Sequence, residues 1–320
     1  MTIKAGAVAL KEAMAETMRR DPNVFVLGED VRAGTFMATT GLVEEFGPER
    51  VINTPLSEAV LAGASTGAAV QGLRPVLEIM FADCLAISFD HIVNSASKMS
   101  YLSDGATPCP LVVRAASGYG LMLGMHHSQC VESWFANVPG LKIIAPYTPY
   151  DAKGLLISAI EDNNPVLCLE HKKFYATKGE VPDGYYTVPL GKADIKRPGK
   201  DVTLVSYSFM LQEVLAAAEE LAKEGVDAEV IDLRSIRPLD TETIIGSVRK
   251  TGRMIIIHEA PKFGGFGGEI AATVAEQAFD ALKRPIIRLG GRECPVPFGV
   301  ETAILPKVGE IVEAARALVK

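Results

Sequence analysis

Thr54-Pro55-Leu56-Ser57-Glu58-Ala59-Val60-Leu61-Ala62-Gly63-Ala64-Ser65-Thr66-Gly67-Ala68-Ala69-Val70 is followed closely by Arg74-Pro75-Val76-Leu77-Glu78-Ile79-Met80. The first stretch predicts a helix of small residues over Glu58 to Val70, whose glycines permit close backbone packing or close approach of a ligand. The second predicts a short buried strand with proline near its start. Glu58 is the only charged residue between Arg50 and Arg74. A carboxylate beside such a helix can be buried, and a buried carboxylate needs a partner. Its plainest role is a helix-start acid satisfied by local backbone N–H groups; the alternative is an acid facing a cofactor. Both stand at this point.

The same helix-then-strand punctuation extends in both directions. Before it, Ala5 to Arg20 has helical spacing and Val24-Phe25-Val26-Leu27, closed by Gly28, reads as a strand, while Val31 to Thr40 has no period and reads as an exposed loop. After it come a helix from Ile87 to Tyr101, a strand from Leu111 to Ala115, a Gly-rich loop from Ser117 to Met125, a short helix from Val131 to Asn137, a strand from Leu141 to Ala145, a helix opened by Pro149, and a strand from Val166 to Leu169. Short continuous apolar strands alternating with helices indicate an α/β fold with mainly parallel sheets covered on both faces. Between Ala176 and Lys200 prolines and glycines replace any helical stripe, and a second alternating pattern runs from Val202 to a last helix at Val308 to Val319. We place a first domain at residues 1–185 and a second at 186–320.

Composition narrows the functional classes. The 320 residues, 48% hydrophobic and 22% charged, suit a globular protein with a large core, and 29 glycines suit many strand-to-helix turns. The net charge of −7 comes from mixed signs with no basic tract, which argues against a nucleic-acid partner. No apolar run reaches membrane-spanning length. The N-terminus shows no basic region followed by an apolar run and cleavage site, and reads as a cytoplasmic start. The five cysteines, at 84, 109, 130, 168 and 294, form no metal-ligand pattern and read as free thiols in a reducing compartment.

Met125-His126-His127-Ser128-Gln129 is the second candidate site. Adjacent histidines do not readily point the same way, so one is expected inward and one outward; an inward histidine at a cleft is acid–base material, and otherwise a loop hydrogen-bonder. A nucleophilic triad is disfavoured because there is no G-x-S-x-G elbow, and no two acids stand out as a glycosidase pair. Phe263-Gly264-Gly265-Phe266-Gly267-Gly268-Glu269 lacks the ordered phosphate-loop signature and reads as a turn opening a helix. Asp162-Asn163-Asn164-Pro165 reads as an Asx turn, whose oxygens are also of the type that holds hard cations.

Taken together, Gly28-Glu29-Asp30, Asn53-Thr54-Pro55-Leu56-Ser57-Glu58, Gly72-Leu73-Arg74-Pro75 with Glu78, His127-Ser128-Gln129, Pro139-Gly140-Leu141-Lys142 and Asp151-Ala152-Lys153-Gly154-Leu155-Leu156 make the chain resemble, over nearly its whole length, the β subunits of 2-oxo acid dehydrogenase E1 components. Pyruvate, branched-chain 2-oxo acid and acetoin dehydrogenases are the relatives. The resemblance implies a transketolase-like pyrimidine-binding domain followed by a transketolase C-terminal assembly domain. It implies thiamine diphosphate shared with an α subunit that holds the diphosphate and Mg2+, an α2β2 heterotetramer, and acyl transfer to the lipoyl group of an E2 acyltransferase.

Residue by residue, the resemblance gives Glu58 the hydrogen bond to the aminopyrimidine N1′ and His127 proton transfer or oxygen stabilisation during reductive acylation. Leu56, Phe81, Cys84, Glu58 and His127 line the cofactor side. A structural potassium-type ion is implied at Asp162 with Leu111, Val112, Ala159 and Asn164. Cys84 is a departure: many relatives place Tyr or Phe there to pack on the aminopyrimidine, and a thiol cannot stack. Phe81 is the nearby aromatic expected to compensate, with Cys84 packing rather than attacking, since no base is paired with it in the sequence. Acetoin dehydrogenase β subunit and a noncatalytic β-like scaffold are the competing readings.

Overall fold

The computed structural model describes residues 1–320, which group into two compact units: Met1–Leu121 with His126–Leu190, and Met122–Met125 with Gly191–Lys320. In chain order the first contains β1 (Thr2–Ala5), α1 (Gly6–Arg20), β2 (Val24–Gly28), α2 (Leu42–Phe46), β3 (Val51–Asn53), α3 (Glu58–Val70), β4 (Arg74–Phe81), α4 (Leu85–Asp90), α5 (Ser97–Leu102), β5 (Val112–Ser117), α6 (Glu132–Ala136), β6 (Lys142–Ile144), α7 (Pro149–Glu161), β7 (Val166–His171) and β8 (Lys178–Val181). The second contains β9 (Asp194–Arg197), β10 (Val202–Ser206), α8 (Met210–Lys223), β11 (Ala228–Asp232), β12 (Ser235–Arg237), α9 (Thr241–Thr251), β13 (Met254–Pro261), α10 (Gly267–Ala278), β14 (Ile287–Gly291) and α11 (Val308–Val319).

In the first unit the strands lie in the order β3-β2-β4-β5-β7-β6, every pairing parallel. Parallel pairing requires crossovers, and the helices supply them. The central strands are buried on both sides, as the continuous apolar runs foretold: Val76, Leu77 and Ile79 of β4, Val112 and Val113 of β5, and Val166 and Leu167 of β7 are at most 2% exposed. The second unit has its own sheet in the order β14-β13-β10-β11-β9, parallel except for the antiparallel edge strand β9. The two parallel-sheet units are the α/β architecture expected from the sequence.

Local sequence sets the helix ends. Thr148 caps α7 by accepting the Asp151 N–H at 3.1 Å, with Pro149 at the first helical position where its missing N–H costs nothing. Asp240 caps α9 and Gly252, at φ +70°, ends it in the left-handed conformation. α1 buries Leu10, Met14, Thr17 and Met18 along one stripe, and Thr17 Oγ1 donates back to Ala13 O at 3.0 Å.

Four differences from the sequence reading have physical causes. β1 and β3 are four and three residues long, too short for a period to show, and β1 is held by antiparallel pairing with β8. α2 is five residues after Gly41. The helix expected from Ile87 to Tyr101 begins at Leu85 and is interrupted by a π-helical stretch, His91–Ala96. That stretch accounts for Gly63 of α3: a Cβ there would stand 3.1 Å from His91 Cε1. Close packing is thus the role of Gly63, whereas Gly67 faces open space.

Candidate active site

The first sheet directs its functional residues to the carboxyl ends of its strands, where ligands of open α/β sheets bind. β2 ends at Gly28 and leads into Glu29; a Cβ at Gly28 would lie 2.5 Å from Glu78 O, so only glycine fits this close approach of strands. β3 ends at Asn53 and leads through Thr54 to Glu58, the first residue of α3. β4 ends at Phe81 and runs into a 3-10 turn, Ala82–Cys84. β5 ends at Ser117 and leads into the Gly-rich loop that precedes His127.

Glu58 is half-buried, and its helix start has no side-chain cap. Its backbone carbonyl accepts Ser88 Oγ, a fully buried hydroxyl of α4, at 3.0 Å. The carboxylate stands against Cys84. Burial pushes the Cys84 thiol up to about 11, and the Glu58 carboxylate, as charge and as hydrogen-bond acceptor, adds to this, followed by Asp83 and Glu29. The thiol is thereby held neutral beside the acid. Two polar atoms in the same segments are buried without a partner, Thr54 Oγ1 and Asp83 Oδ2. Leu56 is 66% exposed in this chain.

His126 is exposed and His127 half-buried, so the pair divides outward and inward as expected. The Phe81 ring meets His127 edge-on, centroids 4.5 Å apart at 86°. Asp83 Oδ1 accepts both Gln129 Nε2 at 2.8 Å and Gln129 N at 3.2 Å, while Gln129 O accepts Gly118 N. The His127 segment is therefore clamped from the β4 turn and from the end of β5. Asp83 and Gln129 as a pair were not singled out from the sequence: an Asp and a Gln separated by 46 residues give no local signal. The turn Phe81–Cys84 is the bridge of the site, touching Glu58 through Cys84 and His127 through Phe81.

Behind this turn lies a buried ion cluster. Arg114 of β5, 1% exposed, donates Nη1 to Glu78 Oε2 at 2.7 Å, and Nε and Nη2 to the two Glu170 oxygens at 2.7 and 2.9 Å. The bidentate fork compensates most of the cost of burying three charges. Burial nevertheless raises Glu78 above the usual carboxylate range, against the opposing pull of Arg114. Tyr175 donates its hydroxyl to Glu170 at 2.9 Å, and burial followed by the Glu170 charge raises it well above an ordinary phenol.

At the segment expected to hold a cation, Asp162 has protein partners. Asp162 Oδ2 pairs with the Lys142 ammonium, and Oδ1 accepts Asn164 N at 2.9 Å in an Asx turn. Cys109 N donates to Asn163 O and Val166 N to Leu111 O, which seats the turn against the start of β5. In the second unit the glycine tract opens α10, and two of its glycines crowd a buried histidine: Cβ atoms at Gly265 and Gly267 would lie 2.8 Å from His258 Cε1 and 2.6 Å from its Nε2.

Residues 4–178 match the transketolase pyrimidine-binding domain and residues 191–311 the transketolase C-terminal domain. The chain is 45% identical to a pyruvate dehydrogenase E1 component subunit beta of Rhizobium meliloti, over 97% of this chain and 68% of the relative. It is 47% identical to a 2-oxoisovalerate dehydrogenase subunit beta of Bacillus subtilis, over 92% and 91%. It is 43% identical to an acetoin:2,6-dichlorophenolindophenol oxidoreductase subunit beta of Cupriavidus necator, over 98% and 96%. Among solved structures, a split-gene transketolase described as an inactive beta4 tetramer superposes with a TM-score of 0.80 at 24% identity, covering 98% of both chains, a likeness of fold. This chain belongs to the transketolase-like family of 2-oxo acid dehydrogenase E1 β subunits.

Proposed function

We propose that the chain is the β half of a thiamine-diphosphate-dependent E1 enzyme that decarboxylates a 2-oxo acid and passes the acyl group to a lipoyl domain. The observation that carries this reading is the placement of Glu58 and His127 on either side of one turn, Phe81–Cys84, at the carboxyl end of a parallel sheet. The residues suit one half of the cofactor. Glu58 offers a carboxylate, the partnerless buried Thr54 Oγ1 and Asp83 Oδ2 offer polar atoms, and no ordered phosphate loop is present. From the family resemblance we place the diphosphate and Mg2+ on an α subunit, in an α2β2 assembly.

When bound, thiamine diphosphate supplies the nucleophilic carbon and the electron sink of the reaction. Glu58 would hold the pyrimidine N1′ by a hydrogen bond and exchange a proton with it. His127, positioned by Phe81 and by the Asp83–Gln129 clamp, would hold or move a proton at the reacting oxygen. Cys84, protonated at neutral pH, keeps a small neutral group beside Glu58 where a ring would otherwise stand. At Asp162 we propose that the Lys142 ammonium supplies the balancing charge that the family resemblance gives to a potassium-type ion.

Identity of 43–47% to relatives named for pyruvate, 2-oxoisovalerate and acetoin does not choose among those substrates. The test is reconstitution with the α chain, thiamine diphosphate and Mg2+, assayed with each compound and a lipoyl domain. A 2-oxo acid turned over in preference to acetoin supports the proposal. Preference for acetoin selects the acetoin enzyme, and no turnover by a properly assembled complex selects a noncatalytic scaffold. Glu58→Gln is expected to lower turnover by at least about 100-fold while assembly persists.

A further inference from the structure

The Gly-rich and His127 segments explain how one side of His127 is fixed, but not what fixes Phe81. Three rings beyond His127 form a ladder within the first unit. Phe81 meets Phe36 edge-on, centroids 5.8 Å apart at 88°. Phe36 in turn stacks face to face on Tyr175, centroids 4.9 Å apart at 7°. Tyr175 is 7% exposed and is tied by its hydroxyl to Glu170, which Arg114 holds bidentately in the sheet. The ladder thus begins at the buried Arg114–Glu170 pair and ends at the candidate acid–base residue.

Phe36 is the rung supplied by the loop that follows β2. It belongs to the stretch Val31–Thr40, which the sequence presents as an aperiodic loop. That loop is tied down along its length. Gly34 N donates to Asp30 O at 2.9 Å and Met37 N to Gly34 O at 2.7 Å. Arg32 N, Nε and Nη2 donate to Asn53 Oδ1, Val51 O and Pro48 O. Gly34 at φ +72° and Met37 at φ +62° take left-handed conformations on either side of Phe36. A non-glycine residue in that region is disfavoured, so the loop spends conformational energy to present this ring. Packing of a half-buried phenylalanine onto a tyrosine would be unremarkable as core filling; what sets Phe36 apart is that its other neighbour is the ring that touches His127.

We infer that Phe36 is a positioning residue, which sets the orientation of His127 by holding Phe81 between itself and the imidazole. The inference rests on the proposed role of His127 and adds a residue to it. Offset-stacked and edge-on aromatic pairs have preferred angles, so losing the middle ring frees Phe81 to tilt and His127 to follow. Misplacing an acid–base group costs rate more than binding.

The experiment uses the β chain reconstituted with its α chain, thiamine diphosphate and Mg2+, and takes whichever of pyruvate and 2-oxoisovalerate the wild type turns over faster. Two half-reactions are measured: decarboxylation coupled to a dye acceptor, and reductive acylation of a lipoyl domain. The His127 imidazole proton resonance, assigned by its loss in His127→Gln, is recorded alongside. Phe36→Leu is expected to slow acylation about tenfold with KM for the 2-oxo acid unchanged, to leave dye-coupled turnover within about twofold, and to shift the His127 resonance. Phe36→Tyr, which keeps the ring, restores all three.

Two results overturn the inference: an unmoved His127 resonance with unaltered acylation in Phe36→Leu, or both half-reactions falling equally together with the melting temperature, which marks a purely structural ring. Failure of the underlying reading looks different. If His127→Gln itself acylates at the wild-type rate, His127 has no such role, while the resonance in Phe36→Leu still reports whether Phe36 orients the imidazole.

Discussion

Phe81 presents its ring edge-on to His127 at 4.5 Å, and three residues later in the same turn Cys84 stands against Glu58. The end of β4 and the 3-10 turn that follows it therefore approach both candidate reacting side chains, one by ring contact and the other by a thiol. Any change to this turn is expected to reach Glu58 and His127 together.

The Cys84 thiol is held up at about 11 against an ordinary 9.0, which leaves about 100-fold less thiolate at neutral pH than a free cysteine has. Alkylation by iodoacetamide at pH 7.5 is expected to modify exposed Cys294 first and to leave Cys84 largely intact; Cys84 reactivity then rises as the pH approaches 11. Glu58→Gln removes the nearby negative charge, which lowers the thiol again and speeds its alkylation several-fold. Peptide mass spectrometry of timed reactions reads both. Equal rates at Cys84 in the two proteins would show that the acid and the thiol do not interact.

Arg114 is the sole cation between Glu78 and Glu170 in the hydrogen-bonded cluster, and its side chain is 1% exposed. Arg114→Met leaves two buried acids facing one another and is expected to cost roughly 3–5 kcal/mol in urea unfolding at pH 7.5. The sign with pH follows from burial. Glu78, which burial already raises, rises further without Arg114, so the folded state takes up a proton more readily than the unfolded state. Stability is then greatest at low pH and is lost as the pH rises through the raised folded value of Glu78. The variant should recover part of its deficit at pH 5.5; a deficit that grows on acidification would contradict the assignment.

Much of this was legible in the residues and some was not, and the division has a physical basis. α3, α7, β10, α8 and α11 begin and end where the sequence places them: the helices are long enough to show their spacing, α7 opens at the Thr148 cap and Pro149, and β10 is a continuous apolar run. Glu58 stood out because nothing charged surrounds it, and His127 because histidine is scarce here. Phe36 gave no signal: it sits in an aperiodic loop, and its stacking on Tyr175 joins residues far apart in the chain. The Arg114–Glu170 pairing was equally hidden, since a charged residue inside an apolar strand run looks like an interruption until the sheet brings β5 and β7 side by side.

Lys142 pairs with Asp162 at a half-buried position, the side chains 31% and 15% exposed. If the ammonium supplies the balancing charge, replacing potassium by sodium or choline at equal ionic strength leaves the melting temperature of the wild type unchanged. Lys142→Met removes the ammonium and is expected to lower stability by about 1 kcal/mol and to introduce a preference for potassium. Strong potassium dependence of the wild type would return the site to a bound cation.

His258 of β13 is fully buried and neither ring nitrogen has a hydrogen-bond partner. Gly265, Gly267 and Gly290 close around the ring so tightly that a Cβ at any of them would lie within 3.1 Å of it. Burial lowers the imidazole from 6.5 to about 4, outweighing the opposing pull of the Ala260 backbone, and the Arg288 charge adds a smaller effect in the same direction as burial. The folded state thus refuses a proton that the unfolded chain accepts below 6.5. Stability is full above that pH and declines as the pH falls toward 4, by roughly 3 kcal/mol at most from this one group. His258→Gln keeps a neutral polar side chain of similar bulk and cannot acquire the charge. Its unfolding free energy, measured by urea titration, is expected to fall less steeply than the wild type between pH 6.5 and 4, whatever its absolute value at pH 7.5. Parallel slopes for the two proteins over that interval would place the acid sensitivity elsewhere, with the carboxylate pairs of the first unit as the next groups to titrate.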